Sequence, residues 1–265
     1  MSKADELRLL HDAIKTFPDA VAIRAADGRL IACSDLYARL AAANTPENGE
    51  FQAADGRWLR RSVRPLPGGG SVELVADVTE LRRAEQAARF LDSHDAPTGL
   101  PNRRLFEDRL RQAIRLAQRR DRMVATLLVR LDDFREASEA LGHGAADAVL
   151  REVAQRIDAQ MRASDIGARF GGDEFSIVLP QGSLQDAERV AKRVLDAVRG
   201  TPIRVDETIS ETVTLSIGVA VAEPTLDSRD FKLIAERLMA EADAALYRAK
   251  QAGRNCVSVS PSIVS

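Results

Sequence analysis

The stretch RFGGDEFSIVL, residues 169–179, places two glycines directly before two carboxylates and an alternating apolar run. Gly171 and Gly172 can adopt positive φ and carry no Cβ, so a ligand can approach the backbone at this turn. Asp173 and Glu174 are adjacent at the start of a predicted strand, so their side chains point to opposite faces. Carboxylates beside such a turn suit Mg²⁺ and a bound phosphate, but a plain hairpin with a solvated acidic tip has the same composition.

The overall composition and charge limit the classes of function that this chain could have. The chain has 265 residues, a net charge of −2, and no apolar run long enough to span a membrane. This balance does not favour a broad nucleic-acid or membrane surface. Cys33 and Cys256 lie far apart and fit no metal or redox spacing, and His11, His94 and His143 do not cluster. We therefore expect a cytoplasmic protein with no zinc or haem site.

Two segments of different pattern precede residue 95. Residues 1–79 contain an apolar helix followed by strand-like runs around Asp-Gly turns and a GGG turn, which predicts a small α+β unit. Residues 80–94 form a charged helix with one apolar seam at Leu81, Ala84, Ala88 and Leu91. Such a seam fits a short coiled coil and also fits a helix lying on a domain surface.

The remainder, residues 95–260, mixes helices and strands in one predicted α+β domain. Helices are expected at 103–121, as two helices over 134–161, at 184–199 and at 231–252. Strands are expected at 124–131, 166–170 and 175–180, as a pair at 203–207 and 212–222, and at the end. The connection at Gly171 and Gly172 is too short for a parallel crossover, so it must join antiparallel neighbours. The sheet is therefore expected to be mostly antiparallel.

The motif RFGGDEF resembles the signature of the GGDEF family, the diguanylate cyclases. The likeness runs from about residue 94 to 257 and is carried by further stretches in the family's order: HDAPTGLPNRRLFEDRL, LGHGAADAVLREVAQRI, VTLSIGVA and EADAALYRAKQAGRN. It implies a cyclase-palm-like sheet flanked by helices. The first unit resembles a PAS sensor domain, because VADVTELRRAE matches that family's Asp-x-Thr exit at Asp77 and Thr79. The sequence identifies no ligand for this PAS-like domain.

The resemblance also implies a chemistry and its residues. Two GTP molecules are joined into cyclic di-GMP in a homodimer, here through the 80–94 helix, with Mg²⁺ bound by hairpin acids Asp173 and Glu174. Lys250 and Arg254, four apart and expected on one helix face, would contact phosphate. Asp147 would hydrogen-bond the guanine edge.

Several positions depart from the family pattern. In LLVRLDDF, the aspartate that normally binds metal is replaced by Arg130, and the guanine-binding asparagine by Ser138. Arg135 replaces the usual lysine, and Pro97 stands where the family favours leucine. A guanidinium cannot bind Mg²⁺, so we expect impaired or lost synthesis. Asp132 is two residues on, is expected to face the same side of the strand, and is a candidate substitute ligand.

The same replacement predicts a contact. Two hairpin acids without a metal repel each other, so Arg130 is expected to pair with Asp173 or Glu174 as a built-in cation. A structure with Arg130 turned into solvent would contradict this.

A second nucleotide site is implied by Arg162-Ala163-Ser164-Asp165, which matches the family's Arg-x-x-Asp product-binding motif at its usual offset. Arginine can donate two hydrogen bonds to guanine O6 and N7, and the aspartate can accept from the guanine N1 and N2 hydrogens. Outside this context, Arg162 and Asp165 would be an ordinary surface pair.

Three functions follow from these residues. The first is a cyclic di-GMP signalling protein with a degenerate active site that binds the product and relays a PAS-derived signal. The second is a working diguanylate cyclase in which Asp132 and the hairpin acids hold the metals. The third is an interaction module without a nucleotide. Arg130 favours the first over the second, and Lys250 and Arg254 favour either over the third.

Overall fold

Strand–turn–strand segments of the first 80 residues pair into one sheet, most of the later strands pair into a second, and two short later strands form a separate pair. The chain divides into two compact units, Met1–Arg89 and Phe90–Ser265. This computed structural model describes residues 3–17, 19–40, 48–205, 210–225, 227, 229–261 and 263–264. No helix in this described part of the chain is both long and apolar enough to cross a membrane.

The first unit is built on a five-stranded antiparallel sheet with the strand order β2-β1-β5-β4-β3. Its elements are α1 (Lys3–Lys15), β1 (Ala20–Arg24), β2 (Leu30–Cys33), α2 (Asp35–Leu40), β3 (Gly49–Gln52), β4 (Trp58–Pro65) and β5 (Ser71–Asp77). Gly28 and Gly56 take positive φ at the predicted Asp-Gly turns. Tyr37 of α2 packs onto the sheet beside Leu59. The end of the helix expected around LYARLAA lies outside the described residues.

A buried carboxylate organises this small core. Glu73 of β5 is 2% exposed. It accepts hydrogen bonds from Arg24 Nε, from the Tyr37 hydroxyl and from Arg61 Nη2. Burial raises the pKa of Glu73, but the hydrogen bonds from Tyr37, Arg24 and Arg61 outweigh that effect and hold its pKa below the ordinary value.

Glu73→Gln is expected to destabilise the first unit by about 2–3 kcal/mol near neutral pH, because it removes the charge that satisfies buried donors. A lowered native pKa contributes stability above the unfolded pKa and loses it as pH falls through the native pKa. The variant should therefore approach the wild type in acid. Trp58, the single tryptophan, lies in β4, so denaturant unfolding followed by its fluorescence reports on this unit. Exposed Glu85→Gln is the control; an equal loss at neutral and acid pH would contradict the argument.

The helix α3 (Thr79–Ser93) follows β5 and contains the division between the two units. Its first turn is hydrogen-bonded to the sheet of the first unit. The Thr79 backbone N–H donates to Asp77 Oδ1, and the Trp58 N–H donates to Thr79 Oγ1. Arg82 stacks over the Trp58 ring and donates to Glu50. The Asp-x-Thr motif thus fixes where the helix begins.

The second unit has a mixed but mainly antiparallel sheet in the order β12-β11-β6-β8-β7, with β13 also pairing with β11. The α+β fold with a mostly antiparallel sheet is confirmed. Its elements are α4 (Arg103–Arg120), β6 (Val124–Leu131), α5 (Phe134–Leu141), α6 (His143–Asp158), β7 (Ile166–Gly171), β8 (Glu174–Leu179), α7 (Leu184–Arg199), β9 (Ile203–Arg204), β10 (Ser210–Glu211), β11 (Leu215–Glu223), α8 (Phe231–Gln251), β12 (Val257–Val259) and β13 (Ile263–Val264).

Both faces of β6 are apolar, and alternate side chains pack into two different cores. Leu127, Val129 and Leu131 face the core formed with α6 and α7, whereas Val124 and Leu128 face α4 and α8. The expected pairing of 203–207 with 212–222 is wrong. The short β9 pairs with β10, and β11 instead lies between β12 and β6, because its almost wholly buried run needs neighbours on both sides.

Candidate functional site

The glycine–carboxylate turn joins β7 to β8 as an antiparallel hairpin, as expected. Gly171 and Gly172 have φ of 122° and 54°, backbone angles that residues with a Cβ rarely adopt. The Leu131 N–H donates to the Asp173 carbonyl, which fastens the tip to the end of β6. The Asp173 carboxylate accepts no hydrogen bond from any described residue. The tip is held by its backbone, which leaves this carboxylate available.

The buried side chain of Arg169 holds the hairpin turn in place. Arg169 is 7% exposed and donates from Nε and Nη2 to the Gly172 carbonyl. Its Nη1 donates to both carboxylate oxygens of Asp95, at 3.0 and 2.8 Å. The Arg169 N–H also donates to the Pro101 carbonyl. One side chain therefore connects the segment after α3 to the turn that carries Asp173.

The replaced position faces the hairpin acids. Arg130 lies in β6 directly opposite Glu174 of β8, and its Nη2 forms an ion pair with Glu174 Oε1. The predicted pairing is confirmed, with Glu174 rather than Asp173 as the partner. Arg130 Nε is buried and donates to no described residue. The pair lines a cavity of about 200 Å³, together with Arg103 of α4 and Asp243 of α8.

Asp132 has a different set of partners. Thr214 Oγ1 donates to Asp132 Oδ2 at 2.8 Å, and Ser216 Oγ donates to Oδ1 at 2.7 Å. The Asn255 N–H also donates to Oδ2, at 3.0 Å. The chain has left β6 at this point, so the carboxylate is directed to β11 and to the turn after α8. Asp132 positions that turn.

The two predicted phosphate contacts lie at this turn. Lys250 is in the last turn of α8, but the helix ends at Gln251. Gly253, Arg254 and Asn255 take positive φ, so the expectation that Lys250 and Arg254 share one helix face is wrong. They remain close in space. Burial lowers the pKa of Lys250, and the neighbouring charges of Arg130 and Arg254 lower it further. Asp173 and Asp132 act in the opposite direction. Arg254 also lies 3.5 Å from Asp133.

The two predicted guanine contacts fall on neighbouring helices. Ser138 is in α5 and Asp147 is in α6, and both side chains are half-buried. The helices pack against each other across Gly142, which has φ of 81°. The pair lies on the connection that follows β6, beyond Arg130.

The Arg-x-x-Asp motif lies elsewhere, at the start of β7. Asp165 Oδ2 accepts from the Arg162 backbone N–H at 2.9 Å, so the carboxylate closes its own turn. Arg162, Ser164 and Asp165 line a cleft of about 440 Å³ with Arg120 from the end of α4. Arg120 was not predicted from the sequence to belong to this site. Only its place in the last turn of a helix ending near β7 could have indicated it.

Comparison with known proteins decides the family. The family model described as the GGDEF domain of diguanylate cyclases matches residues 92–256. This chain belongs to the GGDEF family. It is 34% identical over 190 residues to the probable diguanylate cyclase DgcE of Escherichia coli, which covers 72% of this chain and 17% of DgcE. It is 39% identical over 162 residues to the diguanylate cyclase TpbB of Pseudomonas aeruginosa, covering 61% of this chain and 36% of TpbB. The chain thus spans a minor part of each relative's length.

Solved GGDEF structures share the fold of the second unit. The GGDEF domain of TpbB has a TM-score of 0.57 and 37% identity, and the match covers 63% of this chain and 94% of that one. The coiled coil and GGDEF domain of DgcB from Caulobacter crescentus, in complex with c-di-GMP, has a TM-score of 0.60 and 26% identity. That match covers 69% of this chain and 93% of DgcB's chain. The GGDEF fold and the link to cyclic di-GMP signalling therefore rest on both sequence and structure.

The GGDEF site of this chain does not fit a metal ion. GGDEF diguanylate cyclases are generally Mg²⁺-dependent. Here the Arg130 guanidinium lies opposite Glu174 and is paired with it. Both Asp132 oxygens already accept hydrogen bonds, Oδ1 from Ser216 of β11 and Oδ2 from Thr214 and the Asn255 N–H. Asp173 is the one hairpin acid left. Within the described residues, no group of three or more His, Cys, Asp or Glu side chains could hold a metal.

Proposed function

We propose that this chain is a cyclic di-GMP signalling protein whose GGDEF domain has impaired or lost synthesis but still binds cyclic di-GMP at Arg162 and Asp165. The observation that carries the proposal is the Arg130 guanidinium paired with Glu174. A fixed positive charge occupies the strand position from which a GGDEF enzyme holds Mg²⁺. Metal stabilisation of a transferring phosphoryl group is worth several kcal/mol. Each ~1.4 kcal/mol is tenfold in rate, so synthesis should fall by orders of magnitude.

Product binding is supported by the cleft at the Arg-x-x-Asp motif. The Arg162 side chain is not held by an ion pair within the described residues, so its guanidinium can turn to a guanine edge. The cleft of about 440 Å³ is large enough for part of a dinucleotide, and Arg120 adds a second positive charge on its wall. Two arginines and one aspartate suit a phosphate-linked guanine ligand.

The signal route is also part of the proposal. Residues 1–79 would act as a PAS-like sensor, residues 80–94 as a helical linker and residues 95–260 as the output domain. The first sheet holds the start of α3 through Asp77 and Thr79. This attachment supports the transmission of a conformational change from the sensor through α3. Leu81 and Leu91 of the apolar seam are 48% and 55% exposed, which supports pairing with a second copy through this helix.

Isothermal titration of the purified chain with cyclic di-GMP tests the proposal. We expect the wild type to bind and Arg162→Ala to lose about 10–100-fold in affinity, the value of one bidentate arginine–guanine contact. Arg162→Ala is the sharper variant, because Asp165 also closes the local turn and its removal would disturb the backbone.

The matched control is Arg199→Ala, which removes a surface arginine of α7 that pairs with Asp196 and does not line the cleft. It should bind like the wild type. Absence of binding by the wild type, or equal binding by Arg162→Ala, would contradict product binding at this motif.

A further inference from the structure

The helix α4 and the turn after it carry an excess of positive charge. Residues 103–122 contain eight arginines and three acids, in a chain whose net charge is −2. Three of these arginines are paired with carboxylates, and a fourth lies over the Phe231 ring. The remaining four are exposed and form no ion pair with any described residue: Arg109, Arg119, Arg120 and Arg122. Together with Leu116, which lies between them in the sequence, they form what we call the α4 surface.

The α4 surface has the geometry of one side of a helix pair. Arg109, Leu116 and Arg120 follow one another at steps of seven and four residues, so they lie on one line along the helix. At the rise of an α-helix, Arg109 and Arg120 are about 16 Å apart along the axis. Leu116 is 37% exposed between them. An apolar side chain flanked by two cations is complementary to an amphipathic helix with an apolar residue between two carboxylates.

The stability of α4 itself accounts for only part of this set. Arginines in the last turn interact favourably with the helix dipole, which suits Arg119 and Arg120. Arg109 lies mid-helix, and within the described residues its side chain donates only to another side chain of α4. Arg122 follows the left-handed C-cap Asp121 and lies outside the helix. Asp121 offsets one of the four charges, so the surface keeps a positive excess.

The charge of the whole chain indicates which kind of anion fits this surface. Membranes and nucleic acids present dense negative charge over a wide area, and a chain of net charge −2 has no long-range attraction to such an area. A protein segment with a few carboxylates needs only a local group of cations, and each arginine can donate paired hydrogen bonds to a carboxylate. Leu116 adds an apolar contact that phosphate groups do not use.

The α4 surface borders the cleft of the Arg-x-x-Asp motif. Leu116 and Arg120 line that cleft, whereas Arg109, Arg119 and Arg122 do not. Cyclic di-GMP in the cleft would bring two phosphate charges beside Arg120 and lower the positive potential there. An acidic helix and the cyclic dinucleotide would therefore compete for this edge of α4.

We propose that the α4 surface docks an acidic amphipathic helix of a partner protein, and that cyclic di-GMP in the adjoining cleft releases it. The docking rests on α4 alone, and the release rests on the proposed product binding. A domain that has lost synthesis would in this way report the product by exchanging a protein partner for it.

The test is fluorescence anisotropy of a labelled helical peptide of about 18 residues, titrated with the full chain. The peptide is alanine-rich, with two glutamates at the spacing of Arg109 and Arg120 and leucines between them on the same face. The wild type should bind it. Arg109→Gln combined with Arg119→Gln should lose about threefold to tenfold in affinity, the size of two exposed charge pairs. Neither residue lines the cleft, so the affinity of this double variant for cyclic di-GMP should be unchanged.

Cyclic di-GMP is then added at a concentration that saturates the wild type. It should weaken peptide binding by the wild type at least about threefold, because its phosphate charges lie beside Arg120. It should have no effect on Arg162→Ala, which is expected to have lost product binding.

The matched control is Arg151→Gln combined with Arg237→Gln. It removes two exposed arginines, of α6 and α8, that form no ion pair with any described residue. This control should bind the peptide like the wild type. Vesicles of phosphatidylserine and phosphatidylcholine, and a DNA duplex, are titrated in the same buffer and should bind more weakly than the peptide.

Three results would overturn the docking: no binding of the peptide, an equal loss in both double variants, or tighter binding of the vesicles or the duplex. Peptide binding that persists while cyclic di-GMP is bound to the same chain would overturn the release alone. A chain that binds the peptide but not cyclic di-GMP would refute the proposed product binding and the release with it, and the docking would stand.

Discussion

Purified Arg130→Asp protein is expected to convert GTP into cyclic di-GMP with Mg²⁺ or Mn²⁺, at least about a hundredfold faster than the wild-type chain. The substitution removes the guanidinium that pairs with Glu174 and adds a carboxylate at the same register of β6. Together with Asp173, this creates a set of acids at one end of two hydrogen-bonded strands. Such a set can bind a metal where the present one cannot. Ser138 and Arg135 remain, so turnover should stay below that of an unaltered family member.

The measurement is product formation over time, with the product identified by mass spectrometry. Arg130→Asn is the matched control, because it removes the positive charge and supplies a similar volume without a carboxylate. It should remain inactive, and EDTA should abolish the activity of Arg130→Asp. Abundant cyclic di-GMP from the wild type would refute the interpretation of Arg130 and require another group to replace the missing ligand. Equal activity of both variants would assign the effect to loss of the guanidinium alone.

Local patterns predicted the elements of the GGDEF domain well, because each element carries its own signals. The helix over 184–199 has the predicted bounds, since Ser183 and Asp186 form a capping box at its start and Gly200 follows its end. The hairpin at Gly171 was predictable from the length of the connection alone. The replaced metal position could be found only through the family resemblance, because an arginine at a strand end has no chemical signal of its own.

Contacts between distant segments could not be predicted from the sequence. Arg169 and Asp95 are 74 residues apart, and nothing near either one indicates that they pair. Asp132 was expected to face the same side as Arg130, by strand alternation. Ser216 lies directly opposite Arg130 in the pairing of β6 with β11, and its Oγ donates to Asp132 Oδ1, so Asp132 keeps the side that alternation gives it. What the sequence could not show is that both carboxylate oxygens accept hydrogen bonds from distant segments of the chain.

At the end of α8 the sequence contains two conflicting signals, a helical spacing and a glycine. Spacing of four residues suggested that Lys250 and Arg254 share a helix face, but Gly253 between them is a common residue just after a helix end. With positive φ at Gly253, Arg254 and Asn255, the chain turns toward Asp132 instead. The two cations meet through this turn, so their proximity depends on tertiary contacts and not on helical period.

Gly218→Ala is expected to destabilise the GGDEF domain by about 3 kcal/mol or more, at the upper end of the cost of overpacking. A Cβ at Gly218 would lie within 3.0 Å of the Ala242 carbonyl oxygen and of the Leu246 nitrogen and Cα. These are backbone atoms of α8, so no side chain can rotate away and the helix itself must shift from β11. Because α8 carries Lys250, nucleotide affinity should fall together with stability. Thermal unfolding followed by far-UV circular dichroism should show a decrease in Tm of roughly 6–12 °C.

Gly144→Ala is the matched control, because this glycine lies in α6 and an added Cβ would meet no atom within 4 Å. Its stability should be unchanged or should rise by about 0.4–1 kcal/mol, through the lower entropy of the unfolded chain. The two variants make the same chemical change in the same domain, one where the new methyl group meets backbone atoms and one where it meets none within 4 Å. A Gly218→Ala protein as stable as the wild type would show that α8 can move away from β11 at little cost. The close packing at Gly218 would then not be what holds Lys250 beside the hairpin.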